Sequence, residues 1–185
     1  MFFLRSDYLP RGELAHVLAA LTPPNRLACE LSLNTGLRIS DDLNLRTEQL
    51  SERFTVRESK TGKNRRIRLS PQLLDRCISL AGKIFVFEGR TDRRKARTRA
   101  AVYKDLKRAA RLFRLDKRLQ ISPHTCRKVY AVDKFKAYGC DMKKIQTLLN
   151  HSDEAVTMLY AMADALTAAK MGDKNGKVSN RQNRC

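Results

Sequence analysis

Apolar residues recur at helical spacing through most of the chain and switch to strict alternation in one stretch near its middle. From Pro10 to Leu21, Leu14, Val17, Leu18 and Leu21 fall at i, i+3, i+4 and i+7, which predicts a helix opened by proline and stopped at Thr22-Pro23-Pro24. A second helix is predicted over Asn25 to Asn34, with Leu27, Leu31 and Cys29 or Leu33 turned inward and Gly36 as its C-cap. A short helix follows around Ser40 to Leu45. Then Phe54 and Val56 alternate within 53–59 and Ile67 and Leu69 within 65–69, and the intervening Lys60-Thr61-Gly62-Lys63-Asn64 has the composition of a turn, so a β-hairpin is expected.

Ser70-Pro71 opens a helix to about Ala81, and Ile84 to Phe87 reads as a short strand or an extended buried connection. Residues 90–98 read as a basic loop. Beyond it Ala101, Val102, Leu106, Ala109, Leu112 and Phe113 mark a long helix whose other face is basic. Ser122-Pro123 opens a helix through Tyr138, with Tyr130, Val132, Phe135 and Tyr138 expected in the core and Gly139 ending it. Asp141 caps a short helix to Leu149, and Ser152-Asp153 begins one that carries Tyr160 and runs to about Lys170. The fold class is therefore α+β, mainly helical with a small antiparallel hairpin. Residues 1–171 are expected to form one domain, and 172–185, with one acid, four basic residues and little to bury, a disordered tail.

Charge narrows the partner. The chain has 185 residues and 38 Lys+Arg against 19 Asp+Glu, a formal net charge of +19. Residues 90–118 hold 13 Lys/Arg against three Asp, and 57–68 are basic around a single Glu. Two such concentrations point to a polyanion that runs past both, and double-stranded DNA is the leading candidate. No apolar run approaches the roughly 18 residues of a membrane span and no signal-peptide core is present, so a cytoplasmic protein is expected. Five scattered cysteines without a C-x-x-C pair support neither a disulfide framework nor a zinc site.

Four ordered blocks carry the chemistry: Thr35 to Asp41 (TGLRISD), Ser59 to Lys63 (SKTGK), Pro123 to Arg127 (PHTCR), and Leu149-Asn150-His151-Ser152 followed by Tyr160. They suit an attack on a phosphodiester. Two guanidinium forks, Arg38 and Arg127, match the non-bridging oxygens of a pentavalent phosphorus. Tyr160 is a nucleophile that leaves a cleavable ester, and Lys60 on the hairpin tip, with Lys63 as the other candidate, can protonate the leaving oxygen.

In order and spacing these blocks resemble the tyrosine recombinases of the lambda-integrase and Xer type, or phage integrases. That family has an arginine in a G-[LYQ]-R-[IV]-[SG]-[ED] turn, a hairpin lysine, H-x-x-R at a helix start, and L-[GN]-H-S nine residues before the tyrosine. The resemblance covers about residues 10–165 and implies the family's catalytic-domain fold. It implies that Arg38, His124 and Arg127 hold the scissile phosphate, that Lys60 is the general acid, that His151 bonds the phosphate and that Tyr160 forms a 3′-phosphotyrosyl link. Asp41 would orient Arg38 or His124. It further implies a site-specific recombinase acting in DNA integration, excision or inversion, without metal or cofactor. It would be monomeric alone and tetrameric on DNA, with 164–171 as the candidate for an exchanged C-terminal helix. The chain departs from the family at Lys128-Val129, where a second histidine is common, at Asn150 in place of the more usual glycine, and in the expected lack of an N-terminal core-binding domain.

Two other readings share parts of this pattern, a type IB topoisomerase-like relaxing enzyme and a silent DNA-binding regulator of the same fold. The H-x-x-R and L-N-H-S wording favours the recombinase over the first, and the presence of Tyr160 and Lys60 over the second. Lys63, Arg65, Arg66, Arg97, Arg99, Lys104, Arg108 and Arg111 are the residues expected to contact DNA.

Overall fold

The computed structural model of the chain describes residues 6–115, 117–151, 154–169 and 171. Its elements are α1 (Arg11–Ala19), α2 (Pro23–Thr35), α3 (Ile39–Leu43), β1 (Arg53–Arg57), β2 (Asn64–Arg68), α4 (Pro71–Leu80), α5 (Arg99–Leu112), α6 (Pro123–Ala137), α7 (Met142–Leu148) and α8 (Glu154–Ala161). A further helical run covers 163–169. Ser152-Asp153 and the tail 172–185 lie outside the described residues.

The helix starts follow local chemistry. Ser70, Thr98, Ser122 and Asp141 each accept a hydrogen bond from a backbone N–H in the first turn of the helix they precede. Pro23, Pro71 and Pro123 occupy the first helical position, where a missing N–H leaves nothing unpaired. That is why α2 begins at Pro23, two residues before the start expected from the sequence. The segment 84–87 is a connection rather than a strand, buried only in its second half: Ile84 is exposed, Phe85 pairs with Arg46 in an isolated bridge, and Val86 and Phe87 are fully buried.

β1 and β2 pair antiparallel, with Phe54 opposite Ile67 and Val56 opposite Arg65. Val56, Ile67 and Leu69 turn to the core while Arg53, Arg57, Arg66 and Arg68 face solvent. The centre of the molecule is the packing of α2 on α6. Leu27, Cys29, Leu31 and Leu33 of α2 meet Cys126 and Val129 of α6 in the main core. A fully buried leucine such as Leu31 contributes about 2 to 3 kcal/mol, and cutting it to Ala costs about 2 to 5 kcal/mol once the cavity is included. A smaller cluster of Tyr130, Ala131, Ile145 and Leu149 lies under α7 and α8, with Tyr160 packed against it.

Two features fix the parts that later form the site. Gly36 ends α2 in the left-handed region at φ 68°, and a Cβ there would come within 2.3 Å of the Tyr130 ring. Glycine is required on both counts. The chain thereby reverses and delivers Arg38 to the N-cap of α3. The start of α6 is tied down by the extended segment 6–9. Asp7 receives the Gln120 N–H on its carboxylate at 2.7 Å and the Thr125 hydroxyl on its carbonyl at 2.9 Å, and Lys128 donates to the Ser6 carbonyl.

Tyr138 departs from its expected core position. Helix α6 ends at Ala137, and the chain turns out through Gly139 and Cys140, both at positive φ, leaving Tyr138 exposed. The run 163–169 packs on its own chain: Ala163 and Thr167 are buried, Thr167 Oγ1 accepts the Tyr8 N–H at 3.0 Å, and Lys136 donates to Asp164. Cys29, Cys77 and Cys126 are buried free thiols and Cys140 is an exposed one. No helix among the described residues is long and apolar enough to cross a membrane.

Candidate active site

The four sequence blocks converge on one cleft of about 350 Å³, lined by Arg38, Lys60, Arg99, His124, His151 and Tyr160 together with Ile39, Ser40, Thr61, Asn150 and Val156. Arg38 comes from the cap of α3, Lys60 from the hairpin tip, Arg99 and His124 from the first turns of α5 and α6, His151 from the loop after α7, and Tyr160 from α8. Lys63 lies outside this lining, which separates the two hairpin lysines that the sequence left open.

Tyr160 Oη is 3.2 Å from His124 Nδ1. Burial, reinforced by the charges of Arg99, Arg127, Arg38 and Lys128, lowers the His124 pKa to about 4, so the ring is neutral at neutral pH. Burial also pushes the Tyr160 phenol above its ordinary value, with Arg127 and Arg38 pulling the other way. A protonated phenol therefore faces a neutral imidazole able to accept its proton.

Arg127 is fully buried behind this pair. One of its terminal nitrogens donates to the Leu149 carbonyl at 2.8 Å and to His151 Nε2 at 3.2 Å. Arginine cannot accept, so Nε2 is the acceptor and His151 Nδ1 carries the proton, which it gives to Thr157 Oγ1 at 3.2 Å. Burial, then the charges of Arg127 and Arg38, holds His151 at a pKa of about 4. The other terminal nitrogen of Arg127 is buried with no partner among the described residues. Burial lowers the Arg127 pKa to about 10, and it stays a cation. An unpaired buried guanidinium nitrogen is costly, and an anion is the natural partner for it.

Glu58, at the end of β1, is the part of the site that sequence reading missed. Its carboxylate is completely buried and accepts from Arg38, from Thr61 Oγ1 at 3.3 Å, from Asn150 Nδ2 at 3.4 Å and from Arg65 at 3.5 Å. Burial opposes its ionisation, but Arg127, Arg38 and Arg65 outweigh that and hold its pKa below the ordinary carboxylate value. The available signal was a lone acid inside a run of cations. Asn150 takes φ 53°, a left-handed conformation that asparagine tolerates, which accounts for its standing where glycine is more usual.

Two expectations need correction. Asp41 does not reach Arg38 or His124; its Oδ1 accepts the Ser59 N–H at 3.0 Å and the Ser59 hydroxyl at 2.6 Å, so it holds the hairpin tip. Arg65 is not on a DNA-facing surface. It is buried, donating to the carbonyls of Thr35 and Gly36 and to Glu58, because its position on β2 points it at the end of α2.

The remaining cations divide. Lys63 and Arg66 are exposed on the hairpin. Arg97, Lys104 and Arg108 line a second, larger cleft of about 660 Å³ beside α5, where Arg97 donates to Asn25 and Arg108 pairs with Asp105. Lys104, Arg108 and Arg111 also share an open groove along α5. Among the described residues no group of three His, Cys, Asp or Glu is placed to hold a metal ion.

Comparison with known proteins agrees with this geometry. Residues 8–166 match the model of the phage integrase family. The chain is 32% identical over 165 residues to a tyrosine recombinase of Thermosipho africanus, covering 83% of this chain and 56% of that protein. It is 31% identical over 152 residues to tyrosine recombinase XerD of Lacticaseibacillus casei, covering 74% and 49%. The chain thus spans about half the length of the curated relatives it matches. In fold it resembles a lambda integrase fragment crystallised as a dimer on a core site, with TM-score 0.73 at 22% identity over 87% of this chain and 61% of that one. From the family match and the convergence of its four motif blocks on one cleft, the chain belongs to the phage integrase family of tyrosine recombinases.

Proposed function

We propose that this chain is the catalytic part of a site-specific DNA recombinase that breaks and rejoins strands through a 3′-phosphotyrosyl intermediate. The observation that carries the reading is the Tyr160 hydroxyl set against a neutral His124 in a cleft rimmed by Arg38, Lys60 and Arg99. In the forward step Tyr160 Oη bonds to phosphorus, its proton passes to His124, and the bond from phosphorus to the 5′ oxygen breaks. Lys60 donates a proton to that leaving oxygen. Arg38 and Arg127 stabilise the charge on the non-bridging oxygens, an effect of about 10² to 10³ in rate per donor. His151, expected to bond the phosphate, has both ring nitrogens engaged by Arg127 and Thr157 and in this reading keeps Arg127 in place instead. The phosphotyrosine conserves the ester, so a 5′-hydroxyl from another strand reverses the step without metal, redox group or nucleotide.

The partner in this reading is double-stranded DNA. The cations of the hairpin and α5 would follow its phosphates on either side of the cleft. Assembly as a tetramer on paired sites, with 164–171 moving to a neighbouring protomer, belongs to the same reading. In its support, Met158, Met162 and Leu166 form an exposed apolar row at helical spacing beside Tyr160.

Covalent capture tests the proposal. The protein is incubated with a pool of nicked duplexes randomised around the nick, and adducts that survive denaturant are recovered and sequenced. Wild type should yield an enriched duplex linked to protein, and Tyr160→Phe should yield none while still binding DNA. An adduct that persists in Tyr160→Phe, or wild-type binding without any adduct, would overturn it.

A further inference from the structure

The hairpin tip has two conflicting tasks. It must stay open to admit a duplex, and it must hold Lys60 within proton reach of one oxygen. The backbone on either side of Lys60 is pinned from below. Ser59 is held by Asp41, the Glu58 carbonyl accepts the Gly62 N–H at 2.8 Å, and the Glu58 N–H donates to the Lys63 carbonyl at 3.0 Å. Beneath the tip, both oxygens of the Glu58 carboxylate are occupied, by donors from four places: Arg38 at the cap of α3, Thr61 in the tip, Arg65 on β2 and Asn150 after α7. Burying a carboxylate completely is expensive, and removing one partner from such a network is costly as well. A residue needed only to neutralise Arg65 would not require links to the tip and to the His151 loop.

We infer that Glu58 is a positioning residue for Lys60, fixing the hairpin tip against Arg38 and the Asn150-His151 loop so that the lysine meets the leaving oxygen. The inference rests on the general-acid role proposed above for Lys60. It predicts a defect greatest in the leaving-group step. Glu58→Gln keeps the volume but removes the charge and turns one acceptor into a donor, so the tip loosens; the pair with Arg38 weakens as well, whereas His124 and Tyr160 make no hydrogen bond to Glu58.

A substrate with sulfur in place of the bridging 5′ oxygen separates the possibilities, because a thiolate leaves without protonation. The duplex recovered by covalent capture is made in both forms, and adduct formation is timed with wild type, Glu58→Gln, Thr61→Val and Lys60→Ala. Glu58→Gln should slow cleavage of the oxygen substrate about 100-fold, with DNA affinity retained, and regain about tenfold or more of that loss on the sulfur substrate, the remainder reporting the weakened Arg38 pair. Thr61→Val, which removes one link to Glu58 from a half-buried position at the tip, should show a smaller loss with the same rescue, and it decides the matter if Glu58→Gln does not fold. The inference is overturned if these variants cleave the oxygen substrate at the wild-type rate, or stay equally slow on sulfur while Lys60→Ala recovers. If Lys60→Ala itself does not recover, the general-acid role fails and the inference fails with it.

Discussion

The hydroxyl of Tyr160 and Nδ1 of His124 are 3.2 Å apart, although 36 residues separate them in the chain. The contact exists because α8 packs on α6 and because segment 6–9 fixes the first turn of α6. In the proposed reaction it brings nucleophile and proton acceptor together before any DNA arrives, which removes an ordering cost.

Cleavage should therefore follow the neutral form of His124. With its pKa at about 4, the single-turnover rate of adduct formation should rise as pH increases through that value and then stay level through neutrality. An inflection near 6.5, the ordinary value for histidine, would show that the acceptor is not an imidazole held at about 4 by burial. His124→Ala should lose about 10² to 10⁴ in rate at pH 7.

Arg99 supplies the largest charge effect on His124 after burial itself. Taking that cation away makes the imidazolium easier to form, so in Arg99→Ala the acid limb of the profile should move to higher pH. Arg99→Lys should leave it near the wild-type position. A limb that is unmoved in Arg99→Ala would place Arg99 too far from the ring to matter.

The elements were readable in the sequence because their signals are local. Proline and hydroxyl caps mark α4 and α6, alternation marks the hairpin, and Gly36 marks the end of α2. Most of the candidate site was readable as well, since Arg38, Lys60, His124, His151 and Tyr160 sit in recognisable runs and do share a cleft. What failed was the sorting of charges by environment. Arg65 and Arg66 are neighbours in sequence and equivalent in composition, yet strand alternation buries the first and exposes the second. Glu58 and Asp41 act through contacts across 18 to 92 residues, and no periodicity encodes those.

That difference between Arg65 and Arg66 is measurable. Arg65→Ala leaves Glu58 short of a partner and strips the carbonyls of Thr35 and Gly36, so it should cost about 3 to 5 kcal/mol in urea unfolding. Arg66→Ala should stay within about 0.5 kcal/mol. In DNA binding the order should reverse, with Arg66→Ala reducing the salt dependence and the residual folded Arg65→Ala not doing so.

His124 and His151 should make the protein sensitive to mild acid. Both are held at about 4 when folded, against 6.5 for an ordinary histidine, so the unfolded chain takes up protons first as pH falls. Stability is then full above pH 6.5, declines between 6.5 and about 4, and stops declining on their account below that. The shift alone corresponds to about 3 kcal/mol for each histidine, and solvent screening of these partly exposed rings brings the loss to about 2 kcal/mol each. Urea titrations at pH 7 and 4.5 should show a smaller gap in a His124→Gln, His151→Gln double variant than in wild type; an equal gap would assign the acid sensitivity to other groups.

Salt dependence should separate two cations of α5, Lys104 and Arg108. Lys104 borders both the large cleft and the open groove, and Arg111 lies about two turns further along the same helix in that groove. Arg108 lies between them but its guanidinium is already bonded to Asp105 and to the Ala20 carbonyl. Asp105 is itself held near a pKa of about 2: burial opposes its charge, and hydrogen bonds from Asn25, Thr22 and Arg108 outweigh burial, so its negative charge is present at any working pH. Each phosphate contact releases condensed counterions and adds about one to the slope of log affinity against log salt. Lys104→Ala should reduce that slope by about one on random-sequence duplex, and Arg108→Ala by clearly less, because Asp105 already offsets its charge. Equal slopes for wild type and for Lys104→Ala would move the DNA track off α5 and onto the hairpin.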